Sequence, residues 1–110
     1  MKLESEIQKE ILHFLNSQSD FFAWKNSSTG IYSQGRFRKK AGFDIRGTSD
    51  ILGIHFPSGR LVAIEVKSEK GKCSLEQFAF LSKITNMGGS AIWVKSLEEA
   101  KEFVTLVRGK

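Results

Sequence analysis

Apolar side chains near the start of the chain recur at every fourth position, as they do along one side of a helix. The stripe consists of Leu3, Ile7, Ile11 and Leu15. It predicts an amphipathic helix over residues 3–18. Three acids lie in its first half, where the helix dipole favours negative charge; they are Glu4, Glu6 and Glu10.

Two apolar runs in the middle of the chain predict a β-hairpin. Ile51–Phe56 and Leu61–Val66 are rich in Ile and Val, and Pro57, Ser58 and Gly59 separate them. Runs with so few polar residues are typical of strands that are buried on both faces. The charged residues sit at the open end of this hairpin, where a buried strand requires a reason for charge; they are Asp50, Glu65 and Lys67.

Shorter patterns predict the remaining elements. An aromatic strand is expected at 21–25, a helix at 75–86, a buried strand at 90–94 and a final helix at 97–107. Ser74 and Gln77 match a capping box at the start of the second helix. The order of helices and strands indicates an α/β fold with a central mixed β-sheet flanked by helices.

A hairpin register can be assigned by placing the loop at residues 57–60. Phe56 then faces Leu61, Leu52 faces Glu65, and Asp50 faces Lys67. Asp50, Glu65 and Lys67 emerge on one face, and the two carboxylates become diagonal neighbours with Cα atoms about 7–8 Å apart. A slip of one residue would place Asp50 and Glu65 on opposite faces.

Two converging carboxylates predict a site for a hard cation, Mg²⁺ or Mn²⁺. A lysine beside them, here Lys67, can orient a water or stabilise developing negative charge. The alternative is a salt bridge that closes the hairpin and has no chemical role. A Glu-x-Lys pattern alone is too common to decide between them, and Asp50 at the matching place favours the metal site.

The net charge of +5 is concentrated in one segment. Residues 25–46 hold six basic residues and one acid, whereas the rest of the chain has eleven of each sign. A neutral body with one basic segment favours a polyanion as partner. Residues 26–47 form a connection longer than most, in which 36–40 alternate like a β-ribbon; a mobile, solvated loop is the alternative.

Length and composition restrict the protein class. The 110 residues predict one domain, 1–110, with enough apolar mass for a core. The sequence contains no run of 18 apolar residues, so no membrane span is predicted, and the first residues lack a signal-peptide core. Cys73 is the single cysteine of the sequence, which excludes an intramolecular disulfide and a Cys-based zinc site. We expect an intracellular protein.

The motifs at Gly47–Gly53, Gly59–Lys67 and Ser74–Gln77, with Trp24–Asn26 and Glu6, resemble the VRR-NUC (virus-type replication-repair nuclease) branch of the PD-(D/E)xK nucleases. The resemblance covers nearly the whole chain. It implies a restriction-endonuclease-like core and a Mg²⁺- or Mn²⁺-dependent endonuclease that leaves 5′-phosphates. Ser49 stands where the superfamily name has a Pro, which is common in this branch.

The resemblance also implies roles for particular residues. Asp50, Glu65, the backbone carbonyl of Val66 and, through water, Glu6 would hold the metal, with Lys67 as the catalytic lysine. The first-helix acid is not settled by the sequence, since Glu10 is one turn away. Gln77 has two interpretations of equal weight. It caps the helix, or, as the resemblance implies, it lies near the metal site and helps to fix the water or the lysine.

The basic residues are expected to grip the DNA backbone without reading its bases. The predicted DNA-binding residues are Lys25, Arg36, Arg38, Lys39, Lys40, Arg46 and Ser49. Stand-alone chains of this length resemble phage-type members, which act as homodimers on branched DNA such as Holliday junctions. The alternatives are a non-catalytic DNA-binding module, a nuclease without junction specificity, and an enzyme that acts on RNA.

Overall fold

The computed structural model describes residues 1–26, 31–33, 36–38 and 46–110, with backbone only for 31–33 and 36–38. Three helices and six strands follow one another in these parts of the chain. In chain order they are α1 (Glu4–Ser17), β1 (Phe21–Lys25), β2 (Ile31–Ser33), β3 (Arg36–Arg38), β4 (Ile51–His55), β5 (Arg60–Val66), α2 (Leu75–Asn86), β6 (Ser90–Val94) and α3 (Leu97–Arg108). The elements expected from the apolar patterns are all present.

A mixed four-stranded sheet forms the centre of the fold, in the order β1-β4-β5-β6. β4 runs antiparallel to β1 and β5, and β6 runs parallel to β5. The α/β architecture with a mixed sheet is therefore confirmed. β2 and β3 form a separate antiparallel pair in which Ser33 is opposite Arg36. The predicted ribbon at 36–40 begins with a strand, while Lys39 and Lys40 lie outside the described residues.

One face of the sheet packs against α1 and α3 and forms the main core. Three residues of the α1 stripe, Ile7, Ile11 and Leu15, are buried there, while Leu3 precedes the helix and is exposed. From α3 the core receives Ala100, Phe103, Val104 and Val107. The sheet contributes alternate positions of its central strands, among them Ile51, Val62 and Ile64, which are almost wholly excluded from solvent. Among the described residues, no helix is both long and apolar enough to cross a membrane.

The opposite face, here called the α2 face, is covered over only part of its width. α2 begins with the predicted capping box, in which Ser74 Oγ accepts the N–H of Gln77 and Gln77 Oε1 accepts the N–H of Ser74. The helix packs over β5 and β6, and Phe78 contacts Trp93 edge to face, with the ring centroids 6.4 Å apart. Over β1 and β4 the same face leaves three large apolar side chains exposed, namely Phe22, Trp24 and Ile54.

The hairpin of β4 and β5 differs from the predicted register. His55 is opposite Arg60 and Leu52 is opposite Ala63, so the loop comprises residues 56–59 and not 57–60. Gly59 takes a φ of 73° and donates its N–H to His55 O, which ends the turn one residue early. The pairing shifts by two residues, and this preserves the faces, so Asp50 continues the ladder directly opposite Glu65, not Lys67.

A polar cluster fixes the turn end of this hairpin to the end of α3. Asp20 accepts hydrogen bonds from Arg108 at 2.8 and 2.9 Å and lies 2.9 Å from Nε2 of His55. The Arg108 guanidinium, followed by the His55 hydrogen bond, holds the pKa of the Asp20 carboxyl well below its usual range. The cluster lies at the opposite end of β4 from Asp50, so it is a structural clamp.

The two edges of the sheet are treated differently. At β1, the Asn16 side chain exchanges two hydrogen bonds of 2.9 Å with the N–H and C=O of Ala23. At β6, Lys67 N donates to Val94 O, so alternate residues face β5, and Ala91 and Trp93 turn their backbone groups outward. Within the described parts of the chain these outward groups have no backbone partner.

Candidate active site

The candidate site is built at the open end of the hairpin, where β4 begins and β5 ends. Asp50 precedes β4, and its Oδ2 accepts the N–H of Val66 at 2.9 Å. This hydrogen bond takes the place of the next rung of the ladder, so the carboxylate of Asp50 is held at the edge of β5. The predicted convergence of Asp50 and Glu65 is therefore present, and it is closer than the diagonal arrangement expected.

Glu65 carries one oxygen that the fold satisfies and one that it leaves unpaired. The residue is only 2% exposed, which is rare for a carboxylate. Its Oε2 accepts from Nε2 of Gln77 at 3.1 Å and lies 3.8 Å from Nζ of Lys67. Its Oε1 is buried and has no hydrogen-bond partner among the described residues. A buried acceptor without a donor costs about 1–3 kcal/mol unless another group completes it.

The electrostatics of the pair favour an added positive charge. Burial, followed by the interaction with the neighbouring Asp50 carboxyl, raises the pKa of Glu65 to about 8, while Lys67 opposes the shift. Burial and the charge of Glu65 also raise the pKa of the Cys73 thiol, so Cys73 lies within the field of the site. Sequence reasoning gave Cys73 no place near these carboxylates.

The donor set fits a hard cation that retains some of its water. In an extended strand the N–H and C=O of one residue point to the same side, so the Val66 carbonyl is directed toward Asp50. The described residues contain no group of three His, Cys, Asp or Glu side chains that could hold a metal by themselves. Two carboxylates and a carbonyl suit Mg²⁺, which is commonly bound through one or two carboxylates with several waters.

Gln77 hydrogen-bonds both to the start of α2 and to Glu65. Its Oε1 closes the capping box of α2, and its Nε2 donates to Glu65. The two accounts are compatible because the amide has separate donor and acceptor atoms that point in different directions. The helix start and the orientation of Glu65 are thus fixed by a single side chain.

The first-helix acid that hydrogen-bonds to the segment after β5 is Glu4, whereas the role of the predicted Glu6 at the site stays a prediction. Glu4 Oε2 accepts the N–H of Ser68, the residue after Lys67, at 3.2 Å. Glu6 is exposed, and Glu10 pairs with Lys2. The physical reason is helical phase, because Glu4 lies three residues before the buried Ile7 whereas Glu6 lies only one residue before it. Spacing from the buried stripe was the signal that could have identified Glu4.

A close backbone contact sets the turn before Asp50 against α2. Gly47 has a φ of 77°, and a Cβ at this position would lie 2.2 Å from the carbonyl oxygen of Glu76. Only glycine fits this contact. The turn therefore rests directly on the first turn of the helix that carries Gln77, and it joins the two halves of the site.

Ser49 was predicted to bind DNA, and its position contradicts this prediction. The residue is 0% exposed, and its Oγ has no hydrogen-bond partner in the described parts of the chain. Side chains alternate along an extended chain, so Ser49 points to the core face while Asp50 points to the α2 face. A phosphate outside the protein cannot reach it in this arrangement.

Two of the predicted DNA-binding residues lie at the open end of the hairpin. Lys25, exposed, ends β1 opposite Ile51, and Asn26 N donates to Asp50 O at 2.7 Å. Arg46 is exposed beside Gly47. The backbones of Arg36 and Arg38 belong to β3, but their side chains, like all of Lys39 and Lys40, lie outside what the structure describes.

Comparison with solved structures gives an informative match, whereas the other two comparisons give none. No model of a known protein family matches the sequence, and no curated protein matches it. Among solved structures, a VRR_NUC domain is similar to this chain with a TM-score of 0.64 and 21% sequence identity. The match covers 93% of this chain and 94% of the other. The chain therefore has the fold of a VRR_NUC domain.

Proposed function

We propose that this protein is a nuclease of the PD-(D/E)xK type that hydrolyses phosphodiester bonds in DNA with the help of Mg²⁺ or Mn²⁺. The observation that carries the proposal is the unpaired, buried Oε1 of Glu65 beside Asp50. Two acids held this close, with a lysine on one side, are expected where a cation completes the site. The fold shared with a VRR_NUC domain supports the same assignment.

Asp50, Glu65 and the Val66 carbonyl would hold the cation, and Glu4 would contribute from α1 through water. When bound, the ion lowers the pKa of a water and neutralises charge on the phosphate. Lys67 lies 3.8 Å from Glu65 Oε2, where its ammonium can orient that water or stabilise the negative charge that develops on the phosphate oxygens. Gln77 keeps Oε2 of Glu65 engaged, so that Oε1 is the oxygen left for the ion.

The basic residues would supply the grip on the substrate. Lys25 and Arg46 are exposed at the end of the hairpin that carries Asp50, where they can contact phosphates on either side of the bond to be cut. Arg36, Arg38, Lys39 and Lys40 would extend this contact along the DNA backbone. We further propose a branched substrate such as a Holliday junction and a homodimer, because paired cuts require two active sites related by a two-fold axis.

A panel of labelled substrates tests the proposal: single strand, duplex, flap, replication fork and four-way junction, each with Mg²⁺, Mn²⁺ or EDTA. We expect cleavage only with a divalent ion and loss of cleavage in Glu65→Ala, while that variant keeps or gains stability. Symmetric nicks confined to the junction support the finer proposal, and equal cutting of plain duplex refutes it. Cleavage that persists in Glu65→Ala refutes the site, and cutting of RNA but not DNA refutes the substrate.

The non-catalytic alternative gives the opposite results. If the carboxylates are purely structural, the wild type cuts nothing with Mn²⁺, and Glu65→Ala folds less well but binds DNA with unchanged affinity. The same two proteins therefore distinguish a nuclease from a binding module, and sedimentation across a concentration range separately tests the homodimer.

A further inference from the structure

Two aromatic rings stand exposed on the α2 face, the same face of the sheet that carries Glu65. Phe22 is 66% exposed and Trp24 is 37% exposed. Both project from β1, beyond the part of this face that α2 covers. Exposure of large aromatic side chains to water is unfavourable, and a group of exposed aromatic side chains commonly marks a binding surface.

The aromatic pair, Phe22 and Trp24, lies close to the candidate catalytic carboxylates. Trp24 is opposite Leu52, and Leu52 is two residues from Asp50 on the same face. From the rise along a strand and the spacing between strands, the Cα atoms of Trp24 and Asp50 are roughly 8 Å apart. A nucleotide that neighbours a phosphate bound at Asp50 and Glu65 would bring its base within reach of this surface.

The geometry of the pair suits a planar ligand. The ring centroids of Phe22 and Trp24 are 5.6 Å apart, and the rings are inclined by 47°, so they do not stack face to face on each other. Ring surface therefore remains available to a third ring. An exposed cation for the adjoining phosphates is present at Arg46, before Asp50. Aromatic rings beside basic side chains form the usual surface for unpaired nucleobases.

We propose that Phe22 and Trp24 form a stacking surface for an unpaired nucleobase next to the bond that is cut. The substrate would then be recognised by bases that are free to leave a duplex, as at flaps, gaps and branch points. A fully paired duplex offers no ring face to this surface. The proposal rests on the proposed function in its choice of nucleic acid as ligand, and its test needs no cleavage.

The test uses Trp24 as its own reporter. The chain has two tryptophans, and Trp93→Phe leaves Trp24 alone. Its fluorescence is measured in EDTA while oligothymidine of about 12 nucleotides is added, and again with an oligomer of the same length in which every base is missing. We expect saturable quenching by oligothymidine and none by the abasic strand, although both carry the same phosphates. Equal quenching by the two strands overturns the proposal.

Matched variants complete the test by fluorescence anisotropy with a labelled oligothymidine. Trp24→Ala should weaken binding about tenfold and Trp24→Tyr only slightly, since a stacked base contributes about that much. Ile54→Ser is the control, because Ile54 is similarly exposed at 40% on the same face but cannot stack. If Ile54→Ser weakens binding as much as Trp24→Ala, or if both convert a dimer to a monomer in sedimentation, the surface is an interface between copies of this chain.

The outcomes separate this proposal from the nuclease assignment. Base-dependent quenching in a protein that cuts nothing supports the stacking surface and removes the nuclease. Metal-dependent cleavage in a protein whose Trp24 responds equally to both strands removes the stacking surface and leaves the nuclease in place.

Discussion

Gln77 donates a hydrogen bond to Oε2 of Glu65 across 3.1 Å, so a residue that caps α2 also orients a candidate metal ligand. The carboxylate is consequently attached to the start of a helix and does not depend on its own strand alone. Folding of α2 and assembly of the site are coupled through this amide.

Replacing Gln77 with Glu separates its two roles. Glu also serves at the third position of a capping box, so α2 should keep its start, whereas a carboxylate in place of the donor repels Glu65. We expect Gln77→Glu to lower the cleavage rate at least about tenfold with unchanged helicity by circular dichroism. Ser74→Ala is the matched control and should lose about 1 kcal/mol of stability while it still cuts. Full activity in Gln77→Glu would contradict the role at the site.

Glu65 should make the stability of the metal-free protein fall as the pH rises. Its pKa is about 8 in the folded chain against an ordinary value of 4.5, so between these values the folded state holds a proton that the unfolded state has released. Stability is therefore lost progressively over that window. In Glu65→Gln this loss should disappear, and the variant should be more stable than wild type at pH 8 by roughly 1–3 kcal/mol.

Urea unfolding in EDTA at pH 5 and pH 8 measures this difference. Added Mg²⁺ should stabilise the wild type and not the variant, because an ion that binds only the folded state stabilises it by mass action. An equal dependence on pH in both proteins would show that Glu65 is not the group responsible.

Glu4→Gln should reduce cleavage several-fold and increase the Mg²⁺ concentration needed for half-maximal rate. The amide oxygen of Gln can still accept from Ser68 N, so the substitution removes charge and leaves the hydrogen bond. Glu6→Gln is the matched control, because Glu6 lies two residues further along the same helix and is exposed. This variant should cut like wild type. The reverse result would restore Glu6 as the first-helix acid.

The clamp at the other end of the hairpin should affect stability and leave cleavage unchanged. Arg108→Ala removes two charge-assisted hydrogen bonds to Asp20, and we expect a loss of roughly 1–2 kcal/mol at pH 7. Arg108 depresses the pKa of Asp20, so its contribution is present above the ordinary value of 3.8 and is lost as the pH falls below it. The two proteins should therefore converge in strong acid, as thermal unfolding from pH 2 to 7 would reveal.

The elements of the fold were predictable because each has either a periodic apolar pattern or a continuous apolar run. The faces of the hairpin were also predictable, because side chains alternate along a strand and an error of two residues in the register preserves them. The register was wrong by two residues, because it depends on which residues close the turn, and Gly59 N bonding to His55 O is not visible in the apolar pattern.

The site was predictable as a set of residue types and less so as geometry. Asp50, Glu65, Lys67 and Gln77 meet as expected. The depth of Glu65, the burial of Ser49 and the hydrogen bond of Glu4 to Ser68 depend on how helices sit on the sheet. Such packing follows from contacts between distant residues, and a single sequence records only the types of those residues.

Asn16 blocks one edge of the sheet against the addition of a further strand. By occupying the N–H and C=O of Ala23, its side chain imitates a neighbouring strand and ends the sheet at β1, on the side nearest the aromatic pair. Any additional strand, from a peptide or from a second copy, would have to join at β6. Assembly by strand addition would thus extend the sheet on the side away from β1 and the aromatic pair.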